Sequence, residues 1–202
     1  MKKYMSKSEK SSKNKKPDFT VVIFYGAFAV GKYTVAKEFQ KETGFRFFHN
    51  HHTVDLVDEL FPRATLPSAR LNEKIRFEAF KEIARSKINV VVTHAYSAEF
   101  VSKTGISDPG YVKKVEKIIN TGGGVCYFVH LVASDETLIK RVSGKSRRKF
   151  KKLKDPVIMK KVLKEIGRDF KTSAPVKNNL QIDNTNLSPK KVVQIVRKHF
   201  NL

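Results

Sequence analysis

The chain has 202 residues, 40% of them hydrophobic, which is enough for one domain with a buried core. Its 41 basic and 19 acidic residues give a formal net charge of +22, and such a field attracts polyanions, including nucleotides, RNA and acidic membranes. The single cysteine excludes a disulfide framework and no apolar run reaches membrane-spanning length, so we expect no membrane association and a reducing, cytoplasmic location.

The N-terminal segment differs in composition from the rest of the chain. Residues 1–18 consist mostly of Lys, Ser and Asn with few apolar side chains, which predicts a disordered basic tail before a domain at 19–202. The tail and the net charge favour weak, salt-sensitive, non-specific binding of nucleic acid. A solvated tail and a lysine-rich surface that do not bind nucleic acid would explain the same charge. The charge alone therefore identifies no partner.

A glycine-rich loop follows the first predicted strand. The strand is Thr20–Tyr25, an apolar run of β-branched and aromatic residues, and a helix is predicted from Val35 to a terminal Gly44. Between them, residues 26–34 match the pattern G-x-x-x-x-G-K-x-T. A strand, a glycine loop and a helix in this order predict a phosphate-binding loop.

The chemistry of phosphate binding accounts for this spacing. Gly26 and Gly31 let the backbone approach a phosphate closely, while backbone N–H groups and the helix N-terminus supply partial positive charge. Lys32 supplies a cation for the β- and γ-phosphates of a nucleotide. The hydroxyl that Mg²⁺ requires comes one residue late, at Thr34, because Tyr33 occupies the usual position. The predicted nucleotide-binding residues of the loop are Gly26, Ala29, Val30, Gly31, Lys32, Tyr33 and Thr34, with Thr34 as the metal ligand.

Strands and helices alternate after the loop. Two strands are predicted at Phe45–Phe48 and Lys87–Thr93, and between them lie two predicted helices, at about 53–61 and at Asn72–Ser86. The later elements are a helix capped by Asp108 that runs to about Asn120, a strand at Val125–Val132, a helix that begins near Ser134 and enters a basic stretch, a strand at Leu180–Ile182, and a last helix with Ser188 as its N-cap.

This alternation predicts the α/β class, with a five-stranded parallel sheet between two layers of helices. In such sheets a ligand binds outside the carboxyl ends of the strands. The residues that directly follow each strand are therefore the candidate site residues.

Polar residues cluster after two of the strands. The second strand is followed by His49, Asn50, His51, His52 and Asp55, and the third strand by His94. A zinc site made by His49, His51 and His94 lacks a strong ligand spacing, and helix capping is a purely structural role for such residues. The third strand also ends without the acidic residue that often holds Mg²⁺ through water. Three interpretations stay open: the phosphates, Thr34 and water hold the metal, Asp55 substitutes for the missing acid, or activity is weak.

Residues 19–202 resemble the small P-loop kinases, the group that includes adenylate, shikimate and gluconate kinases. The form of the loop, with the threonine two residues after Lys32, resembles that of adenylate kinases, and the stretch 48–57 (FHNHHTVDLV) is most similar to a shikimate-kinase-like branch often labelled AAA-type ATPase. The resemblance implies a P-loop NTPase fold like that of the nucleoside-monophosphate kinases, with ATP and Mg²⁺ as cofactors. It also implies that the acceptor is bound by His49, Asn50, His51, His52, Asp55 and His94, with Asp55 as the preferred base for its hydroxyl proton.

Two further segments resemble the adenine-binding parts of these kinases. Residues 134–141 resemble the helix whose arginine, here Arg141, packs on the adenine. Residues 180–185 resemble the turn beside the base. The nucleotide contacts implied in that turn are Asp183, Asn184 and Thr185.

A third segment, 144–148, resembles the start of a mobile lid, which we predict at about 143–156. In the resembling kinases the arginines of the lid clamp the transferring phosphates, and the corresponding residues here are Arg147 and Arg148. The predicted catalytic residues are accordingly Lys32, Asp55, Arg147 and Arg148.

These features predict an ATP-dependent phosphotransferase that moves the γ-phosphoryl group to a hydroxyl or phosphate group of a small molecule. One of Arg63, Arg70 and Arg76 would bind an acceptor phosphate, whereas an uncharged alcohol would leave all three as surface residues. Two alternatives stay open because of the net charge: a polynucleotide 5′-hydroxyl kinase, and a basic nucleic-acid-binding protein with a degenerate nucleotide site. The identity of the acceptor and the oligomeric state are not determined by the sequence.

Overall fold

A five-stranded parallel sheet forms the middle layer of the computed structural model, which describes residues 16–144 and 152–202. The strands are β1 (Thr20–Gly26), β2 (Arg46–Phe48), β3 (Val90–Ala95), β4 (Val125–Val132) and β5 (Asn179–Asp183), in the order β2-β3-β1-β4-β5. The three central strands are almost entirely buried, because helices cover both faces of the sheet. The predicted α/β class and the five-stranded parallel sheet are confirmed.

Helices pack on both faces of the sheet. In the described residues they are α1 (Lys32–Thr43), α2 (His51–Val57), α3 (Leu66–Ser86), α4 (Asp108–Thr121), α5 (Asp135–Val142), α6 (Pro156–Ile166) and α7 (Pro189–Phe200). On one face, α1, α5, α6 and α7 form a core that includes Phe39 and Val192. On the other face, α3 and α4 form a core that includes Phe80 and Val115. Because β1 pairs with strands on both sides, its carboxyl end lies in the middle of the sheet edge.

The helix α3 begins earlier than predicted, at Leu66 rather than at Asn72. The hydroxyl of Thr65 caps it by accepting a hydrogen bond from Ser68 N at 3.4 Å. Pro67 lies in the first turn, where a missing N–H group costs nothing. Thr65 and Pro67 together therefore place the start of α3 before the predicted one.

The helix α2 is shorter than predicted and begins directly after β2. It ends at Val57 rather than near Phe61. After Val57 the backbone bonds tighten: Glu59 N donates to Leu56 O at 3.3 Å and Leu60 N to Val57 O at 3.0 Å, both across three residues, and only Phe61 N, which donates to Val57 O at 3.0 Å, keeps the α-helical spacing of four.

Two further boundaries differ because of helix ends. The strand β3 begins at Val90 because Lys87, with φ 51°, ends α3 in the left-handed conformation. The N-cap of α4 is Ser107 rather than Asp108, since the Ser107 hydroxyl accepts a hydrogen bond from Gly110 N at 3.1 Å.

The basic stretch after α5 contains a separate helix that the pattern did not predict. α5 ends at Val142, and α6 begins after Asp155, whose carboxylate accepts hydrogen bonds from Val157 N at 2.7 Å and Ile158 N at 3.4 Å. No helix in the described part of the chain is long and apolar enough to cross a membrane. Cys126 is fully buried in β4, and burial raises the pKa of its thiol.

Candidate functional site

The glycine loop joins the buried end of β1 to α1, which begins at Lys32 rather than at Val35. Gly26 has φ 127° and lies so close to β4 that a Cβ there would be 2.4 Å from Leu131 O. Gly31 has φ 103° and is the N-cap of α1. Both motif glycines therefore occupy positions that other residues would strain.

The side chain of Lys32 folds back over the glycine loop. Its Nζ donates hydrogen bonds to Gly26 O at 2.8 Å and to Ala27 O at 2.5 Å. Among the described residues no side chain caps the N-terminus of α1, and its first turn contains no acidic residue. The first N–H groups of α1 and the positive end of its dipole are therefore available for an anion beside the Lys32 ammonium group.

A cavity of about 610 Å³, which we call the loop cavity, surrounds this loop. Its described lining contains no carboxylate and four cationic side chains, Lys32, Arg63, Arg141 and Lys152. This charge matches that of a nucleoside polyphosphate. Lys152, whose Nζ lies 4.9 Å from the centre of the Tyr33 ring, could not be singled out from the sequence because one lysine in a basic stretch has no distinguishing pattern.

Arg141 connects α5 to the glycine loop and to the turn after β5. Its guanidinium donates hydrogen bonds to three backbone carbonyls, Val30 O at 3.3 Å, Asn184 O at 3.0 Å and Thr185 O at 3.1 Å. The buried Asn184 side chain also donates to Val30 O, at 2.8 Å. Arg141 and Asn184 line the loop cavity. Asp183 and Thr185 do not line it; they shape the turn through a hydrogen bond from Thr185 N to Asp183 Oδ1 at 2.8 Å.

Thr34 and Tyr33 have different surroundings at the start of α1. Thr34 is exposed and lines the loop cavity, so its hydroxyl fits a ligand of Mg²⁺ on a bound nucleotide. The Tyr33 ring packs against Phe47 and His49, with ring centres 5.6 and 4.9 Å apart. Across residues 16–144 and 152–202 no three His, Cys, Asp or Glu side chains are grouped to hold a metal ion, so the described residues do not form the zinc site considered from the histidines.

His49 is a buried, neutral side chain at the end of β2. Its Nδ1 lies 2.6 Å from Thr93 Oγ1, and Asn50 N donates to the same hydroxyl at 3.0 Å. Burial, followed by the positive charge of Lys152, lowers the pKa of His49 to about 2. His49 therefore lines the loop cavity as an uncharged ring and adds no cation for a phosphate.

His51 and Asp55 form a pair along α2. His51 Nδ1 lies 2.7 Å from Asp55 Oδ1, and Arg63 Nη2 approaches the same oxygen at 3.5 Å. Burial lowers the pKa of His51, although the hydrogen bond to Asp55 opposes that shift, so the ring is neutral near pH 7. His51 and Arg63 line the loop cavity. Asp55 does not line the cavity but contacts both of these side chains. The exposed His52 does not line the cavity either.

A second cavity, of about 550 Å³, lies between α2, α3 and the segment 94–111, and we call it the Arg76 cavity. Of the predicted acceptor residues, Asn50 and His94 line it. The two cavities adjoin, and the residues that line both are Phe28, Asn50, Val54, Arg63 and Ala95.

His94 is separated from the other histidines. Its ring stacks on Tyr111 with centres 4.6 Å apart, and its Nε2 lies 3.5 Å from Asp108 Oδ1. Burial lowers the pKa of His94, with the nearby Asp108 carboxylate opposing the shift. His94 lines the Arg76 cavity, whereas His49 and His51 line the loop cavity.

Arg76 is buried, with 2% of its surface exposed. It is therefore not a surface residue, which is the position expected for all three candidate arginines if the acceptor is an uncharged alcohol. Its Nε donates to Tyr111 Oη at 2.6 Å and its Nη1 to Asn50 Oδ1 at 2.8 Å. Of the other two candidate arginines, Arg70 is exposed on α3, and Arg63 lies at the junction of the two cavities.

Several polar residues of the Arg76 cavity could not be recognised from the sequence. They lie on α3, on α4 and after β3, where the helical spacing indicates only core positions. These residues are Asn72, Glu73, Tyr96, Asp108 and Tyr111.

The lid arginines Arg147 and Arg148 lie outside the described residues, as does the rest of the segment 145–151. Gly144 and Lys152, which flank this segment, both line the loop cavity.

Solved structures of several kinases share this fold. A sugar kinase from Janibacter sp. HTCC2649 matches with a TM-score of 0.60 and 15% identity, over 92% of this chain and 95% of the other. Shikimate kinase from Acinetobacter baumannii, in complex with shikimate, matches with a TM-score of 0.56 and 15% identity, over 90% and 93% of the two chains. A gluconokinase from Sinorhizobium meliloti 1021 matches with a TM-score of 0.56 and 16% identity, over 93% and 97%.

No protein-family model and no curated protein matches the chain by sequence. At 15% or 16% identity the structural likeness concerns the fold. Together with the strand order and the glycine loop after β1, it shows that this chain has the three-layer α/β/α fold of the small P-loop kinases.

Proposed function

We propose that this chain is an ATP-dependent phosphotransferase, which moves the γ-phosphoryl group of ATP to a hydroxyl or phosphate group of a small molecule. The observation that carries the proposal is the contact between the loop cavity and the Arg76 cavity, which share part of their lining. A nucleotide in the first would present its terminal phosphate to an acceptor in the second, and such positioning is most of what phosphoryl transfer requires. The kinase descriptions of the structural neighbours support the same reaction class.

The loop cavity would hold the nucleotide. The N–H groups at the start of α1 would bind its phosphates, and the Lys32 ammonium would leave its two backbone carbonyls to stabilise the charge on the transferring group. Thr34 would be a ligand of Mg²⁺, which supplies neutralisation of the phosphate charge. Arg141, whose guanidinium is held in place by hydrogen bonds to the carbonyls of Val30 and Asn184, would contact the adenine.

The acceptor would lie in the Arg76 cavity with its reacting group toward the shared lining. Asn50 and His94 contribute to its walls, and the pair of His51 and Asp55 would receive the proton of an acceptor hydroxyl. The lid arginines would close over the phosphates. The solvent-exposed His52 has no contact with either cavity and therefore no assigned role.

Thermal unfolding with ATP·Mg²⁺ tests the nucleotide site. At about 100 times its Kd, a ligand that binds only the folded state should raise the Tm by about 5 to 10 °C. Lys32→Ala should abolish the shift, whereas the control Lys41→Ala, which removes the same charge from an exposed position of α1, should keep it. The proposal fails if ATP gives no shift, or if Lys32→Ala leaves the shift intact.

The same variants separate the two alternatives that the charge suggests. A basic nucleic-acid-binding protein would bind RNA tightly, with a steep salt dependence that Lys32→Ala does not change. A polynucleotide kinase would retain such binding after removal of residues 1–16 and would transfer phosphate to an oligonucleotide 5′-hydroxyl. The proposed small-molecule kinase should do neither.

A further inference from the structure

The residues that line both the loop cavity and the Arg76 cavity, which we call the junction, are mostly apolar. In the described part of the chain they are three apolar residues, Phe28, Val54 and Ala95, and two polar ones, Asn50 and Arg63. In the kinase reaction proposed above, the γ-phosphate and the acceptor would meet here. The side chains of the junction therefore influence which oxygen can reach the phosphorus.

Both polar side chains of the junction already have partners within the protein. Asn50 Oδ1 accepts a hydrogen bond from Arg76 Nη1 at 2.8 Å. Arg63 forms ion pairs with Asp58 and with Asp55, whose Oδ1 lies 3.5 Å from Arg63 Nη2. An ordered water inside a protein makes about three hydrogen bonds to polar groups that are otherwise unsatisfied. The junction is consequently a poor site for a fixed water molecule.

Phe28 supplies most of the apolar surface at the junction. Among the described residues there, it has the largest apolar side chain and the only aromatic one. Its side chain faces both cavities and is 37% exposed, whereas its neighbours in the glycine loop, Ala27 and Ala29, are 3% and 8% exposed. The ring is thus the part of the loop that lies between the two cavities.

Phe170 holds the ring of Phe28 from the protein side. The two rings meet edge to face, with centres 5.4 Å apart and planes at 77°, which is a favoured arrangement of aromatic pairs. Phe170 is itself 4% exposed and belongs to the core formed with α1, α5, α6 and α7. Its backbone oxygen accepts a hydrogen bond from His130 Nε2 at 3.0 Å. Phe28 is therefore packed against a fixed part of the molecule.

This contact matters most when a nucleotide is bound. Lys32 Nζ donates to Ala27 O, directly before Phe28, at 2.5 Å. In the proposed reaction the ammonium group moves to the phosphates and no longer holds that carbonyl. The contact between the two rings does not involve Lys32, so it would keep Phe28 at the junction during the reaction.

Resting on the kinase function proposed above, we propose that Phe28, held by Phe170, determines the selection of the acceptor over water. In transfer, an acceptor oxygen forms a bond to the γ-phosphorus while the bond from that phosphorus to the β–γ bridging oxygen breaks, which gives phosphorylated acceptor and ADP. Water attacking in the same way gives inorganic phosphate and ADP, and the proton of the attacking group passes to His51 and Asp55. The ring of Phe28 disfavours the second reaction because it excludes water and offers it no hydrogen bond.

Release of inorganic phosphate from ATP·Mg²⁺ by the full chain, without added acceptor, measures the reaction with water. The wild type should hydrolyse ATP well below about 1 s⁻¹, the lower end of kinase turnover. Phe28→Ser replaces the ring by a hydroxyl that can hold water and should raise this rate by at least about tenfold. Phe28→Leu keeps an apolar side chain and should stay close to the wild-type rate. The control Leu60→Ser, at an exposed apolar position outside both cavities, should not change it.

The direction of the change separates selection against water from a structural role. Damage to the loop would slow hydrolysis, whereas the proposal requires faster hydrolysis. A rate in Phe28→Ser that is equal to or below that of the wild type therefore overturns the proposal, as does an equal increase in Phe28→Leu or Leu60→Ser. A wild-type rate above about 1 s⁻¹ also overturns it, because water would then not be excluded.

Phe170→Leu tests the anchor. It removes the edge-to-face contact but keeps an apolar side chain in the core. Hydrolysis should rise several-fold, and the double variant with Phe28→Ser should be no faster than Phe28→Ser alone, because the anchor acts only through the ring that it holds. Independent, multiplicative increases would overturn the role of Phe170 as a positioning residue.

The role of Phe28 and the kinase function can fail separately. ADP titration of the wild type and of Lys32→Ala reports on the loop cavity alone. If ADP does not bind, or binds without dependence on Lys32, the proposed kinase function fails. If ADP binding depends on Lys32 but Phe28→Ser does not raise hydrolysis, the kinase function stands and the role of Phe28 is refuted.

Discussion

Asn184 shows how one side chain can support both the fold and the nucleotide site. Its Nδ2 donates to Val30 O at 2.8 Å, and its Oδ1 accepts from Arg141 Nη1 at 3.2 Å. It therefore joins the turn after β5 to the glycine loop and to α5. The neighbouring Asn186 is exposed on the same turn.

Asn184→Ala should lower the free energy of unfolding by about 1 to 3 kcal/mol, because it leaves the buried Val30 carbonyl without this donor. ATP should bind more weakly as well, since Arg141 loses one of the groups that orient it. Denaturant unfolding and calorimetric titration measure the two effects, with Asn186→Ala as the control. A variant as stable as the control would contradict this account of Asn184.

Asp55→Asn should reduce the rate of phosphoryl transfer rather than nucleotide binding. Asp55 accepts from His51 Nδ1 at 2.7 Å, and an amide would weaken the pair that receives the hydroxyl proton. We expect kcat to fall by about 10² to 10⁴ with little change in the KM for ATP. Glu59→Gln removes the same charge from an exposed neighbour and should leave kcat unchanged. An equal loss in both variants would refute the assigned role.

At the residue scale, the sequence predicted the loop well and the second cavity poorly. Gly26 and Gly31 are recognisable because phosphate binding constrains backbone and spacing together. Arg76 and Tyr111 are 35 positions apart and meet only when α3 packs on α4, so no local pattern contains their hydrogen bond. The nucleotide and acceptor roles of the individual residues stay predictions.

At the scale of elements, the parallel strands were predicted because buried strands form continuous apolar runs. The helix starts were less predictable, because a cap depends on one side chain. However, Thr65 and Asp155 start α3 and α6, and each cap is followed by a proline in the first turn. This is the same signal by which Ser188 marks the start of α7. The structure thus corrects boundaries rather than the order of the predicted elements, and adds α6.

Gly26→Ala tests the contact between β1 and β4 at the loop. The added Cβ would lie 2.4 Å from the backbone oxygen of Leu131, at a φ of 127° that alanine rarely adopts. Because this oxygen belongs to a central strand, it cannot move without disturbing the sheet. We expect the free energy of unfolding to fall by more than about 3 kcal/mol, or the protein not to accumulate.

Gly105→Ala is the matched control for that substitution. Gly105 also has positive φ, 85°, but an added Cβ would meet nothing within 4 Å. Its cost should be the backbone strain alone, about 1 to 2 kcal/mol. Denaturant unfolding of both variants separates steric exclusion from strain, and equal losses would show that the close approach at Gly26 is unimportant.

At the scale of the whole molecule, buried histidines link stability to pH. Burial is the first cause that lowers the pKa of His49, His51, His94 and His130, and partial burial lowers that of the more exposed His52 as well. Because these pKa values are lowered in the folded chain, the unfolded chain takes up the protons at a higher pH than the folded chain, so acid favours unfolding. The net charge of +22 becomes more positive as the pH falls, and the added repulsion within the folded chain also favours unfolding.

The Tm should therefore fall as the pH is lowered from about 7.5 to about 5.5. Each fully neutral buried histidine contributes up to about 1.4 kcal/mol to this loss of stability per pH unit below its usual pKa. His49 contributes over the widest range, because its pKa in the folded state is about 2. His49→Gln removes that contribution and should make the slope shallower. Scanning calorimetry across this pH range measures it, and an unchanged slope in the variant would contradict the assignment.

The absence of carboxylates from the described lining of the loop cavity has a consequence for how metal and nucleotide depend on each other. A protein with acidic ligands in its site can bind the metal before the nucleotide binds. This chain would instead bind magnesium only as its complex with the nucleotide. Chelation by EDTA should then stop turnover while ADP affinity changes by less than about tenfold, because Lys32 and Arg141 bind the phosphates and base directly. Metal occupancy would follow the cellular supply of nucleotide, not the supply of free ion.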